Sequence, residues 1–245
     1  MEKFSAVIIT LNEEKNIERC LKSLTWADEI LVVDSGSTDR TLEICKRYGA
    51  KVVQTEWRGF GRTKQFAVEQ AGHEWILSID ADEEVTTALR ERIRNILQHP
   101  DPAIAYRIKR QAFYLGKAVK YSGWQNDFPL RLFNRKNGNF NDKPVHESVQ
   151  FKGQVQRLYE PLNHYTYPTI SSHIRKMDRY TNLSAAGSER KSTIGGSLVR
   201  ALFRFFKMYI IKGGFLDGRI GFVLCFNSAF GIYLKYIKLW EKTRK

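Results

Sequence analysis

The chain has 245 residues, with 40 Lys and Arg against 26 Asp and Glu, a formal net charge of +14 and 42% hydrophobic residues. That length and apolar content exclude a disordered chain and a disulfide-stapled miniprotein, and they fit one large domain or one domain with an appended piece. The charge calls for a polyanionic partner (nucleic acid, anionic lipid or a phosphorylated substrate), and the three separated cysteines, Cys20, Cys45 and Cys225, suggest a reducing compartment and neither a zinc site nor a disulfide framework.

"FSAVIIT" reads as a buried strand that follows the N-terminus without the apolar run of a signal peptide. Asn12 is placed to cap a helix with Ile17, Cys20, Leu21 and Leu24 on one face. "EILVVD" is a second strand ending at Asp34. "SGSTDRTLEICKRYG" is a loop and a helix stopped by Gly49. "AKVVQTEW", the short helix "GRTKQFAVEQAG", the strand "EWILSID" and the helix "TTALRERIRNILQHP" follow. This alternation predicts an α/β fold with a doubly wound, mostly parallel sheet and helices on both faces. Ligands of such sheets sit outside the carboxyl ends of the strands, where Thr10, Asn12, Asp34 and Asp80 fall. From about residue 103 to 167 the pattern changes to shorter mixed strands, and a helix is expected over "ISSHIRKMDRYTNLSAAGSERK".

The stretch "WILSIDADEEV" gathers four acids at a strand end in a basic protein. Residues i and i+2 of an extended segment point the same way, so Asp80 and Asp82 would present two carboxylates to one spot. A divalent cation relieves their repulsion, and oxygen ligands suit Mg²⁺ or Mn²⁺ with positions left open for phosphate oxygens. Glu83 and Glu84 read as charge decoration of a helix start. A solvated loop is the plain alternative for the whole cluster.

"VIITLNEEKNIERCLKSL", "EILVVDSGSTDRTLEI" and "WILSIDADEE", in this order and spacing, resemble glycosyltransferase family 2 on the GT-A fold. Through "KPVHESV" and "GGFLDGRIG" the likeness runs over nearly the whole chain, toward the lipopolysaccharide-core β-glucosyltransferases. The resemblance implies a nucleotide-sugar donor, usually a UDP-sugar, and an inverting transfer. By position, Thr10, Asn12 and Glu13 would contact the nucleoside and Asp34 the uracil. Lys64 would lie near the base or phosphates, Asp80 would touch the ribose, and Asp82 would hold the metal. The residue types agree: Asp34 suits a base N–H and Lys64 a phosphate, although a capped turn and surface solvation are the respective alternatives. On this division residues 1–100 form the nucleotide-sugar half, 101–190 the acceptor-facing half of the same domain, and 191–245 a basic, aromatic tail.

An inverting transfer needs a general base on the acceptor hydroxyl. Glu147 in "KPVHESV" is the candidate and Asp127 in "GWQNDFPLRLF" its rival. His146 is either a metal ligand or phosphate-orienting group, or a structural histidine. Arg131 either lines the donor phosphates or acceptor or lies on a strand surface. Trp124 either stacks on a sugar or belongs to the core. "QxxRW", a motif of processive synthases, is absent, so one sugar per encounter is expected.

In the tail, Arg200, Arg204 and Lys207 form a basic stripe beside Phe203, Phe205, Phe206, Tyr209, Ile210 and Ile211. That pattern suits a helix in a membrane interface. "IGFVLCFNSAFGIYL" is short of the ~20 apolar residues of a span. The expectation is a cytoplasmic enzyme bound peripherally to the inner face of the membrane, with a UDP-sugar donor and an anionic lipid-linked glycan acceptor. The inner core of lipopolysaccharide is the leading acceptor, by resemblance. Polyprenyl-phosphate or another surface glycan, or a role as a non-catalytic scaffold, are the alternatives. Nucleic acid is not an expected partner, because it leaves the strand-end acids unexplained.

Overall fold

The computed structural model describes residues 1–142, 147–188 and 190–244. The chain forms two compact units, Met1–Arg110 with Asp127–His164, and Gln111–Asn126 with Tyr165–Lys245.

The first unit opens with β1 (Phe4–Thr10), α1 (Ile17–Lys22), β2 (Glu29–Asp34), α2 (Thr41–Arg47), β3 (Lys51–Gln54), α3 (Phe60–Gln70) and β4 (Trp75–Asp80). Then come β5 (Glu83–Val85), α4 (Thr87–Ile96), β6 (Ile104–Tyr114), β7 (Lys117–Ala118), β8 (Leu130–Asn134), β9 (Gly138–Phe140), β10 (Val149–Phe151) and β11 (Gln154–Tyr167). β7, with β6 from Gln111 and β11 from Tyr165, belongs to the second unit. The sheet order is β3-β2-β1-β4-β8-β6-β11-β5. The first four strands are parallel, β8 runs antiparallel to β4 and β6, and β5 runs antiparallel to β11. β9 and β10 form a separate antiparallel pair.

Strand alternation divides the core. Phe4, Ala6 and Ile8 of β1 join Ile17, Cys20 and Leu21 of α1 on one face, with Leu24 just beyond it. Val7 turns to the other face, onto Ala67 and Val68 of α3. Cys20 and Cys45 are buried core residues.

Two local expectations fail. Glu83 and Glu84 lie in β5, not in a helix, and α4 begins after Thr86, whose side chain accepts the Leu89 N–H at 3.2 Å. Asn12 does not cap α1. It sits at φ 56° and its Oδ1 accepts the Thr38 N–H at 2.8 Å, tying the loop after β1 to the loop after β2.

In the second unit α5 (Ile170–Ala186), α6 (Ile194–Phe206) and α7 (Gly218–Thr243) are the main helices. A π-turn (Lys207–Ile211) and a 3₁₀ turn (Gly214–Asp217) join α6 to α7. Thr169 and Thr193 cap α5 and α6. "GGFLDGRIG" is a packing device here. The Asp217 carboxylate accepts the N–H groups of Lys120 and Tyr121, each at 3.0 Å, and so holds the loop after β7. A Cβ on Gly221 would lie 1.9 Å from the Gly214 carbonyl oxygen, so only glycine permits this approach. Tyr114, fully buried, meets His173 Nδ1 at 2.9 Å, and its hydroxyl accepts from Asn227 Nδ2 at 2.9 Å. Trp124 packs edge-on to Tyr114 and tilted against Tyr167 within this unit.

α6 turns small residues inward and leaves large apolar ones exposed. Ser197, Ala201 and Met208 are buried, while Val199, Leu202 and Phe203 are 65%, 62% and 62% exposed. Arg200 does not point freely into solvent; its guanidinium lies 4.7 Å over the Tyr236 ring of α7. Gly214–Thr243 is long and apolar enough to cross a bilayer by length and composition, because the helix continues beyond its uncharged part through Lys235 and Lys238.

Two predictions follow from this packing. Gly221→Ala, which forces a side chain onto backbone, should destabilise the protein by about 2 kcal/mol or more in thermal or denaturant melts. Gly195→Ala, with nothing within 4 Å, should be neutral or stabilise by roughly 0.5–1 kcal/mol through helix propensity. Equal effects would contradict the close approach. For His173, burial first and Lys176 second push the pKa down from 6.5 to about 4. A depressed histidine pKa means the neutral form is the folded one. Its contribution is complete above about pH 6.5 and is lost as pH falls toward 4. The melting temperature should therefore fall over that window, and His173→Gln should flatten the fall; identical pH slopes would count against it.

Candidate functional site

The register brings the strand ends together. Thr10 stands opposite Asp34 across β1 and β2, and Ile9 stands opposite Asp80 across β1 and β4. All lie at carboxyl ends, where a doubly wound sheet places its ligands. Asp34 is fully buried and engaged with the turn that follows: its Oδ2 accepts the N–H groups of Gly36 at 3.0 Å and Ser37 at 2.9 Å, and its Oδ1 accepts the Ser37 hydroxyl. The Glu13 N–H donates to Thr41 Oγ1 at 2.8 Å, and its carboxylate accepts from Asn16. Thr10 Oγ1 is buried and without a hydrogen-bond partner, a hydroxyl left over at the strand end.

Lys64 is no surface residue. It shares the buried face of α3 with Ala67 and Val68, so its stem is packed and only its ammonium reaches the strand ends. That ammonium lies 2.8 Å from Asp80 Oδ1 and 2.9 Å from Glu147 Oε1, with 7% of the side chain exposed, and 5.5 Å from the Phe140 ring centroid. Arg131, the second residue of β8, is equally buried. Its Nη2 donates to Asp80 Oδ2 at 2.5 Å and to Glu83 Oε1 at 2.6 Å, while its Nε is buried without a partner. Burial pushes the Asp80 carboxyl up, but Arg131 and Lys64 outweigh it and hold Asp80 well below the usual carboxylate range. Burial likewise opposes the charge of Arg131, and Asp80 and Glu83 more than restore it.

Glu83, read from sequence as decoration, is fully buried and central. It accepts the Asp80 N–H at 2.9 Å, the Arg131 contact and Arg110 Nη1 at 3.3 Å. Arg110 in turn grips Asp127, with Nε at 2.7 Å and Nη2 at 2.5 Å from the same oxygen. Four carboxylates (Asp80, Glu83, Asp127 and Glu147) thus meet three cations (Lys64, Arg110 and Arg131). Arg110 has a signal in the sequence: it falls in the register of Tyr106, Ile108, Ala112 and Tyr114, all buried. An arginine in an apolar register requires an acid partner.

Asp80 and Asp82 have different ion-pair partners. Asp80 is held by cations, whereas Asp82 Oδ2 lies 3.3 Å from His164 Nε2, a neighbour delivered by the pairing of β11 with β5. Asp82 lies past the end of β4, in a turn, so the strand's i, i+2 alignment does not extend to it. Among the described residues no group of three His, Cys, Asp or Glu is arranged to hold a metal ion. His146, the other ligand candidate, lies outside the described residues. Trp124 belongs to the second unit and packs in its aromatic cluster.

Comparison with known proteins gives a consistent answer. Residues 5–158 match the family model "Glycosyl transferase family 2". A protein of Rickettsia conorii named an uncharacterized glycosyltransferase is 32% identical over 259 residues, covering 100% of this chain and 92% of its own. The lipopolysaccharide core biosynthesis glycosyltransferase LpsC of Rhizobium meliloti is 29% identical, covering 97% of this chain and 92% of its own. In fold, the crystal structure of S. aureus TarS 1-349 in complex with UDP-GlcNAc superimposes with a TM-score of 0.52 at 18% identity, covering 99% of this chain and 91% of that one. The parallel strands ending in the acid-and-cation cluster are thus those of a GT-A sheet, and this chain belongs to glycosyltransferase family 2, the nucleotide-sugar-dependent glycosyltransferases.

Proposed function

We propose that this enzyme moves a hexose, glucose from UDP-glucose as the first choice, with inversion onto an anionic lipid-linked acceptor, the inner core of lipopolysaccharide before any other. The observation that carries the reading is Lys64, a buried ammonium between the donor-side Asp80 and the candidate base Glu147. The relation to LpsC supports the acceptor class. In this reading Thr10, with its unpartnered hydroxyl, joins Asn12, Glu13 and Asp34 around the nucleoside. Asp80 faces the ribose, and Lys64 and Arg131 face the diphosphate. The unpartnered Nε of Arg131 fits an anion that has yet to arrive.

Asp82, with His164 beside it and His146 as a further candidate, would hold a divalent cation, the carboxylate suiting Mg²⁺ or Mn²⁺ and an imidazole suiting Mn²⁺ the better of the two. The cation would neutralise charge on the departing diphosphate. Glu147 accepts the proton of the acceptor hydroxyl. The hydroxyl oxygen forms the new bond at the anomeric carbon, and the bond to the diphosphate breaks with its electron pair leaving on UDP. Asp127, whose Oδ2 is gripped by Nε and Nη2 of Arg110, is the rival base.

UDP release should be measured across a panel of UDP-sugars, with Mn²⁺, Mg²⁺ or EDTA, and with or without deacylated lipopolysaccharide core. One sugar should respond, the metal and the acceptor should both raise turnover, and Asp82→Ala and Glu147→Gln should each lower it by ~10²-fold or more. A fully active Glu147→Gln would transfer the base role to Asp127, and a wild-type protein that neither binds UDP nor releases it would end the proposal.

For location, the apolar outer faces of α6 and α7 and the basic residues beside them suit the anionic inner face of a bacterial membrane. The protein should float with vesicles containing anionic lipid, and raised salt should release it. Phe203→Ser with Phe206→Ser should weaken that binding at least several-fold while UDP affinity stays unchanged. Retention after salt and alkaline carbonate washes would instead make α7 a span.

A further inference from the structure

A lysine carries one charge and three donors, and Lys64 divides them between two carboxylates of different roles. Asp80 has a second cation, since Arg131 reaches its other oxygen. For Glu147, whose side chain is 18% exposed, Lys64 is the ion-pair partner among the described residues. While that pair stands, the carboxylate that has to take the proton is spent on an ammonium. A nucleoside diphosphate brings more negative charge than one carboxylate and competes for the same Nζ.

We propose that Lys64 is a positioning residue that links donor occupancy to release of the base, a role that rests on Glu147 being that base. Without donor, Lys64 holds Glu147. When the diphosphate arrives it takes over Lys64, and Glu147 is freed to accept the acceptor's hydroxyl proton, which passes to Oε1 as the acceptor oxygen bonds to the anomeric carbon and the diphosphate leaves with its electron pair. Donor binding therefore precedes productive acceptor binding, and the base is masked whenever the donor subsite holds nothing for it to act on.

The consequence is counterintuitive for a catalytic residue: Glu147 competes with the donor. Calorimetric titration of the full chain with UDP and Mn²⁺ tests it. Glu147→Gln and Glu147→Ala should both bind UDP ~3- to 10-fold more tightly than wild type, as expected when a competing charge partner is removed. Lys64→Met should bind more weakly, and in that background Glu147→Gln should bring no gain, because the competition runs through Lys64. An electrostatic effect of deleting any nearby acid would survive in the Lys64→Met background, and that result would overturn the coupling. Unchanged or weaker UDP binding in both Glu147 variants would overturn it as well. In either case UDP binding by the wild type would leave the donor site standing, whereas loss of turnover without any change in UDP affinity would keep Glu147 as base and remove only the link to Lys64.

Discussion

The first unit depends on one requirement, that Asp80 remain charged where β4 runs out into a largely enclosed space. An unpaired carboxylate there would be strongly unfavourable, and one cation would leave part of its hydrogen-bonding capacity unmet. Lys64 from α3 and Arg131 from β8 answer it from opposite sides. Arg131 is itself too deep for one partner, so Glu83 is drawn in at full burial, and Glu83 then has capacity for Arg110. Elements far apart in the chain are thereby fixed to one point. The antiparallel half of the sheet is positioned by these charges as well as by its apolar residues.

The second unit solves a different problem. Ser197 and Ala201 of α6 face inward, and Phe203 and Phe206 face outward. The small residues let the helices approach closely, and the large apolar ones are left as an exposed patch. The aromatic cluster of Phe205, Tyr209 and Phe222 gives that surface a rigid footing.

The alternating half of the fold was readable from periodicity, because its parallel strands and the helices between them follow hydrophobic patterns. The candidate site was readable as positions: Thr10, Asp34 and Asp80 do stand together at strand ends. Their partners were not readable. Glu83 was missed because its role comes from β6 and β8, roughly thirty and fifty residues away in sequence, and no local rule for acids at helix starts contains that information. Asn12 was misassigned because an asparagine has the same preference for a cap and for a left-handed turn, and only the approach of Thr38 decides between them. The partners of Asp82 were not readable either, because i, i+2 alignment holds only while the strand continues, and β4 ends at Asp80.

The discontinuity of the second unit bears on how the enzyme can be handled. Gln111–Asn126 leaves and re-enters the chain of the first unit, and its fixed points are in the last third of the sequence: Asn227 for Tyr114, and Asp217 for Lys120 and Tyr121. Cutting away the tail to gain solubility would strip those partners from a fully buried tyrosine and from two backbone donors. The fragment would then be less soluble than the parent, not more. A water-soluble form has to be sought by repainting the outward side chains of α6 and α7 with polar residues while their inward residues are left in place. The exposed apolar surface and the structural core of this unit are separable by side chain, but not by truncation.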